Sequence, residues 1–149
     1  MNAIGVLSQD ERQVRSAFDF EHRRFEAARY LRISPALVDE WLADVQLPAD
    51  YFRGRRVLDV GCGSGRWTYA MASLGAQVVA VDFCDAAVEM TRKVTRNVGE
   101  VKVIQASLWN LPFGPEQFDF VVSWGVLHHT RDTADAFRAI ARLVRPGGH

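Results

Sequence analysis

The sequence predicts an α/β fold built on a doubly wound, mostly parallel sheet with an N-terminal helical lead-in, and three observations predict it. From Gly54 onward, short valine-rich apolar runs alternate with amphipathic stretches of helical period. The runs are apolar throughout rather than alternating, as in strands covered on both faces. A cluster of glycines follows the first run, where such folds turn from strand to helix around a ligand.

The elements follow in order. Residues Asp10 to Arg32 are dense in helix formers, with Val14, Phe18, Phe25 and Ala28 at helical offsets. Packing is the favoured role for this helix's aromatics, ahead of a lid. Ser34 can cap a second helix and Pro35 suits its first turn, with Leu37, Val38, Trp41, Leu42 and Val45 as one stripe and Pro48 beyond its end. Residues 1–53 therefore read as a helical lead-in and 54–149 as the α/β domain. RRVLDV is the first strand, RWTYAMASL a helix closed by Gly75, and QVVAVD the second strand. A helix spans Asp85 to Asn97, VKVIQ is the third strand and FDFVVSW, Phe118 to Trp124, the fourth. Asp132 caps a last helix with Ala136, Phe137, Ile140, Ala141 and Leu143 inward.

Composition narrows the function classes. The chain has 149 residues, 48% hydrophobic and 24% charged, which excludes a disordered or fibrous chain. Its 18 Lys+Arg balance 18 Asp+Glu, so no net field concentrates nucleic acid or anionic lipid. Arg23, Arg24, Arg29 and Arg32 alternate with Glu21 and Glu26 and read as a solvated helix face. No apolar run is long enough to span a membrane and the start lacks a signal-peptide pattern, so a cytoplasmic location is expected. Two cysteines, Cys62 and Cys84, are too few for a disulfide framework and lack metal-ligand spacing.

The chemistry centres on VLDVGCGSGRW, Val57 to Trp67. Gly61, Gly63 and Gly65 let the chain turn and a ligand approach, but a dinucleotide fingerprint would need glycine where Arg66 or Thr68 stands. Asp59 argues against a pyrophosphate there and suits a ligand with a positive group. Asp82, closing the second strand, is placed to accept hydrogen bonds from a ribose diol.

Together with NLPF at Asn110–Phe113, FDFVVSWGVLHH at Phe118–His129 and LVRPGG at Leu143–Gly148, these motifs make the chain resemble a class I S-adenosylmethionine-dependent methyltransferase with a Rossmann-like fold. The lead-in, with FDFEHRRF at Phe18–Phe25, is similar to that of members acting on small molecules or lipids. The resemblance implies S-adenosylmethionine as cofactor, with the loop Gly61, Cys62, Gly63 and Gly65 around its methionine part and Asp59 near its ammonium group. It implies Asp82 on the ribose, Phe83 beside the adenine and the Leu108 backbone against the ring. Ser107 stands where relatives carry an acid for the adenine amino group, and a hydroxyl accepts that bond more weakly. Ser123 and Trp124 would face the transferred methyl. The paired His128 and His129 could supply a general base for a small-molecule or lipid-like acceptor, and no metal site is expected. A non-catalytic binding module and a nicotinamide-dependent dehydrogenase are the other readings. A complete domain of that family carries further strands after RPGG. A chain truncated after the fourth strand is therefore expected, with an unpaired sheet edge prone to self-association.

Overall fold

A reciprocal cap starts the first helix: the Ser8 hydroxyl accepts from the Glu11 N–H at 3.2 Å and the Glu11 carboxylate from the Ser8 N–H at 2.7 Å. The computed structural model describes residues 7–25 and 36–149. The predicted positions Glu26, Ala28, Arg29, Arg32, Ser34 and Pro35 lie outside these, as does the Phe25 side chain. Helix α1 (Gln9–Phe25) docks on the start of α4 (Asp85–Thr95). Arg15 pairs with Asp85 at 3.0 Å, and Asp19 accepts from the Ala86 N–H at 3.3 Å. The second contact supplies an acceptor to a helix whose own cap residue, Cys84, offers none.

Helix α2 (Ala36–Val45) buries Leu37 and Trp41. A short 3₁₀ turn over Ala49–Phe52, absent from the sequence reading, then buries Phe52. The Trp41 ring lies 5.3 Å from Trp67, 6.0 Å from Phe52 and 6.1 Å from Phe120. Burying an indole contributes about 4–6 kcal/mol by area. That exceeds the roughly 1–3 kcal/mol cost of its N–H, which has no acceptor among the described residues. Through these rings the segment 36–53 shares one core with β1 (Arg56–Val60), α3 (Arg66–Ser73) and β4 (Phe120–Val122).

The four strands, with β2 (Gln77–Asp82) and β3 (Glu100–Gln105), form a parallel sheet in the order β3-β2-β1-β4. Val57 belongs to the core under α2 and α3, whereas Leu58 joins Phe118, Ile140 and Leu143 on the other face. This alternation is the side-chain period of a strand buried on both sides. All four strands end at one rim of the sheet, where Gly61, Phe83, Ala106 and Ser123 follow.

Three details differ from the sequence expectations. The fourth strand is shorter than predicted, Phe120–Val122: the Asp119 N–H still bonds the Arg56 carbonyl of β1, whereas both backbone groups of Phe118 bond the C-terminal segment, at Leu143 and Arg145. Phe137 on α5 (Thr133–Ala141) is 59% exposed. It sits one residue off the stripe of Ala136, Ile140 and Leu143, which is buried. The outer edge of β4 is partly covered: Val144 bridges Phe118, and the His149 backbone pairs with Asp119 and Val121 at 3.0 and 2.9 Å. Asp132 does cap α5, accepting from the Asp135 N–H at 2.8 Å. Among the described residues no helix is long and apolar enough to cross a membrane.

Candidate functional site

The first strand is apolar up to Val60, and the chain then reverses over its neighbour. The N–H groups of Gly61 and Cys62 both donate to the Val81 carbonyl, at 2.7 and 3.0 Å. Gly65 has φ +76°, and a Cβ there would sit 2.9 Å from the Thr91 Cα and 2.8 Å from Val94. Only glycine lets α3 start this close to α4. Gly65 thus serves the packing of two helices and lines neither cavity described below. Thr91 ties the loop further, donating its hydroxyl to the Gly63 carbonyl at 3.1 Å.

Two buried carboxylates face this loop. Asp82 accepts from the Gly63 N–H at 3.0 Å through one oxygen and from the Cys84 N–H at 2.9 Å through the other. Each oxygen keeps a further lone pair for a ligand. Burial raises the Asp82 carboxyl above its ordinary range, against those backbone donors and the nearby His22. Asp59 is pushed up to about 6 by burial, with the Thr68 hydroxyl at 2.6 Å holding it down and the Asp82 charge adding to the rise. Among the described residues neither carboxylate has an ion-pair partner. Burial and the two carboxylates also push the Cys62 thiol up, and burial and Asp82 do the same to Cys84. Both thiols are free and packed, as small apolar filler would be.

The carboxyl ends of the strands open into two adjoining cavities. The larger, about 360 Å³, is lined by Asp82, Phe83, Ser107, Leu108 and His129 among others. The smaller, about 280 Å³, holds Asp59, Cys62, Arg66 and Trp67. Gly61, Gly63 and Trp124 border both. The structure therefore brings together Asp59, Gly61, Cys62, Gly63, Asp82, Phe83, Ser107, Leu108, Trp124 and His129. Ser107 is engaged locally, its hydroxyl accepting from the Trp109 N–H at 3.3 Å. Ser123 and His128 line neither cavity: the Ser123 hydroxyl donates to the Val60 carbonyl at 3.0 Å, and the His128 ring lies 3.9 Å from that of His129, tilted by 44°.

Several lining residues escaped the sequence reading. Val14, Phe18 and His22 of α1 line the cleft, so Phe18 and His22 of FDFEHRRF border the cavities in addition to packing. Phe18 meets His129 edge-on at 5.1 Å, and His22 Nδ1 lies 2.7 Å from the Phe18 carbonyl. Trp109 and Arg131 line the far side, with the guanidinium 4.9 Å above the indole. Arg66 entered the sequence reading only as a break in the glycine pattern. No group of three or more His, Cys, Asp or Glu among the described residues could hold a metal ion.

Comparison with known proteins gives a consistent result. The family described as "Methyltransferase domain" matches residues 58–149. The chain is 37% identical to the ubiquinone biosynthesis O-methyltransferase of Alkalilimnicola ehrlichii over 145 residues, covering 91% of this chain and 59% of that protein. The chain thus spans less than two thirds of that relative's length. Among solved structures, an S-adenosylmethionine-dependent methyltransferase from Mesorhizobium loti is 29% identical with a TM-score of 0.63, over 74% of this chain and 52% of that one. Magnesium protoporphyrin IX methyltransferase from Synechocystis PCC 6803, with S-adenosylhomocysteine bound, is 24% identical with a TM-score of 0.68, over 91% of this chain and 68% of that one. This last likeness is one of fold.

Proposed function

The chain belongs to the methyltransferase-domain family, and on that premise we propose that it binds S-adenosylmethionine and serves methyl transfer to a small aromatic hydroxyl acceptor. The observation that carries the reading is the pair of buried carboxylates, Asp59 and Asp82, neither of which forms an ion pair among the described residues. Ionised carboxylates without a counter-charge are costly to bury, and a ligand bringing positive groups and hydroxyl donors relieves both. An ammonium, a sulfonium and a ribose diol suit these two acceptor carboxylates. The two cavities together suit a ligand of that size.

In this reading Asp82 holds the ribose diol, Phe83 and the Ser107–Leu108 backbone flank the adenine, and Asp59 takes the ammonium group. When bound, the cofactor supplies a methyl group already activated by its sulfonium, so no covalent protein intermediate is required. The protein has to orient an acceptor and exclude water. Trp124, half exposed where the cavities meet and edge-on to Trp67 at 5.8 Å, offers a face for an aromatic acceptor. Phe18 and its neighbours on α1 line the cleft. His129, on the cavity wall, receives the hydroxyl proton on an imidazole nitrogen as the acceptor oxygen becomes the nucleophile. His128 acts behind it as a ring support. The O-methyltransferase named among the relatives favours a hydroxyl acceptor.

Calorimetry with S-adenosylmethionine and S-adenosylhomocysteine tests the cofactor, and mass spectrometry with di- and trihydroxybenzoates or quinols tests the acceptor. Binding of both nucleosides with methylated phenol as product is the expected result. Failure of this chain to bind either nucleoside sinks the reading, and binding of NADH instead revives the dehydrogenase one.

A further inference from the structure

The smaller cavity contains a group that the reading above leaves unused. Arg66 is the first residue of α3 and lines this cavity together with Asp59. Its Nε is buried without a hydrogen-bond partner among the described residues. One terminal nitrogen meets Glu40 at 2.8 Å, in a pair whose side chains are 35% and 56% exposed. The guanidinium carbon lies over Trp67, 4.1 Å from the ring centroid, a cation–π contact that helps hold the group at the cavity wall. A buried N–H without an acceptor destabilises the protein unless a ligand supplies one. The other charged or titratable groups lining this cavity are Asp59 from β1, Cys62 from the glycine loop, and Glu21 and His22 from α1, so Arg66 is its one permanent cation among the described residues.

We infer that Arg66 reads the carboxylate at the amino-acid end of the methyl donor, so that Asp59 and Arg66 together select a zwitterion. The inference rests on the proposed cofactor and names the residue that makes that cavity specific for an α-amino acid. A planar guanidinium fork suits a carboxylate better than a point charge does. The exposed Glu40 is a weak competitor for it, since solvent screens that pair.

The test compares ligands that differ only at this end. Calorimetry is run with S-adenosylhomocysteine and with 5′-methylthioadenosine, which lacks the amino acid, on the wild type, Arg66→Met and Arg66→Lys. Loss of a charge-assisted bond predicts that Arg66→Met weakens S-adenosylhomocysteine about tenfold or more while 5′-methylthioadenosine stays within about twofold. Arg66→Lys is expected between the two. A wild-type arm needs no variant: S-adenosylmethionine should bind about tenfold more tightly than its decarboxylated form. Unchanged S-adenosylhomocysteine affinity in Arg66→Met, equal losses for both ligands, or wild-type indifference to the carboxylate each overturn the inference. Binding of 5′-methylthioadenosine with an indifferent carboxylate overturns it alone and leaves the cofactor reading standing. A wild type that binds none of the four nucleosides overturns both.

Discussion

The two ends of the sheet treat buried aspartates in opposite ways. At the amino end, Asp119 is surrounded by partners: the Arg56 N–H donates to it at 2.8 Å, Arg55 lies at 3.5 Å and Arg145 pairs with the same oxygen as Arg55. Tyr51 completes this end, its hydroxyl donating to the Asp119 carbonyl at 3.2 Å and lying 2.9 Å from His149 Nδ1. At the carboxyl end, Asp59 and Asp82 have backbone and hydroxyl donors but no ion-pair partner among the described residues, and burial raises both. The same residue type is therefore ion-paired at one rim and unpaired at the other, where the proposed reading places the ligand. Stability is given up where binding is built, a pattern expected of functional sites.

Substitutions at the two rims should move stability in opposite directions. Asp119→Ala should cost about 2–3 kcal/mol in urea unfolding, because a partly buried N–H loses its acceptor and two arginines their anion. The exposure of those arginines keeps the figure from being larger. A loss below about 1 kcal/mol would show that the amino rim is no better satisfied than the other.

Asp59→Asn should do the reverse. Folding lifts this carboxyl from an ordinary 3.8 to about 6, so the native state binds protons that the unfolded state releases across that interval. Stability therefore falls as the pH rises from 3.8 to about 6, and the full penalty, roughly 3 kcal/mol, stands above it. The amide avoids this cost: the variant should gain up to about 3 kcal/mol near pH 7 and little below pH 4, while losing affinity for S-adenosylmethionine. A variant less stable than wild type at neutral pH would contradict the picture of a penalised carboxylate.

Two smaller effects sharpen the contrast. Asp82→Ala should weaken S-adenosylhomocysteine about tenfold through lost ribose bonds, and unchanged affinity would remove that role. Arg15→Ala opens a partly exposed pair between α1 and α4 and should change global stability by less than about 1 kcal/mol. Amide exchange within α1 should nevertheless quicken, since α1 lines the cleft through few contacts.

Much of this contrast was legible in the chain. The periodicity marked every strand of the sheet, and the glycine loop with Asp59 and Asp82 marked the end of the sheet where the cavities open, because backbone geometry and charge there depend on residue type and close spacing. The amino rim was not legible. Asp119 sat inside an apolar run, and its partners Arg55, Arg56 and Arg145 are distant in sequence or look like ordinary surface cations. The place of α1 was half legible, since an amphipathic helix announces a buried face but not what it covers. Phe137 misled for a related reason: a hydrophobic residue beside the stripe is indistinguishable by composition from one within it.

The sequence by itself determined the fold class, the parallel strands and the family's glycine-and-acid signature, all of which rest on local periodicity and steric demands that neighbouring residues impose. Tertiary structure alone decided that Gly65 packs helices, that α1 lines the cleft and that Arg66 keeps a buried N–H while sharing a cavity with Asp59. These depend on which surfaces meet across long stretches of chain. Burial, and with it the energy of a charge or an unpaired donor, exists only once they have met.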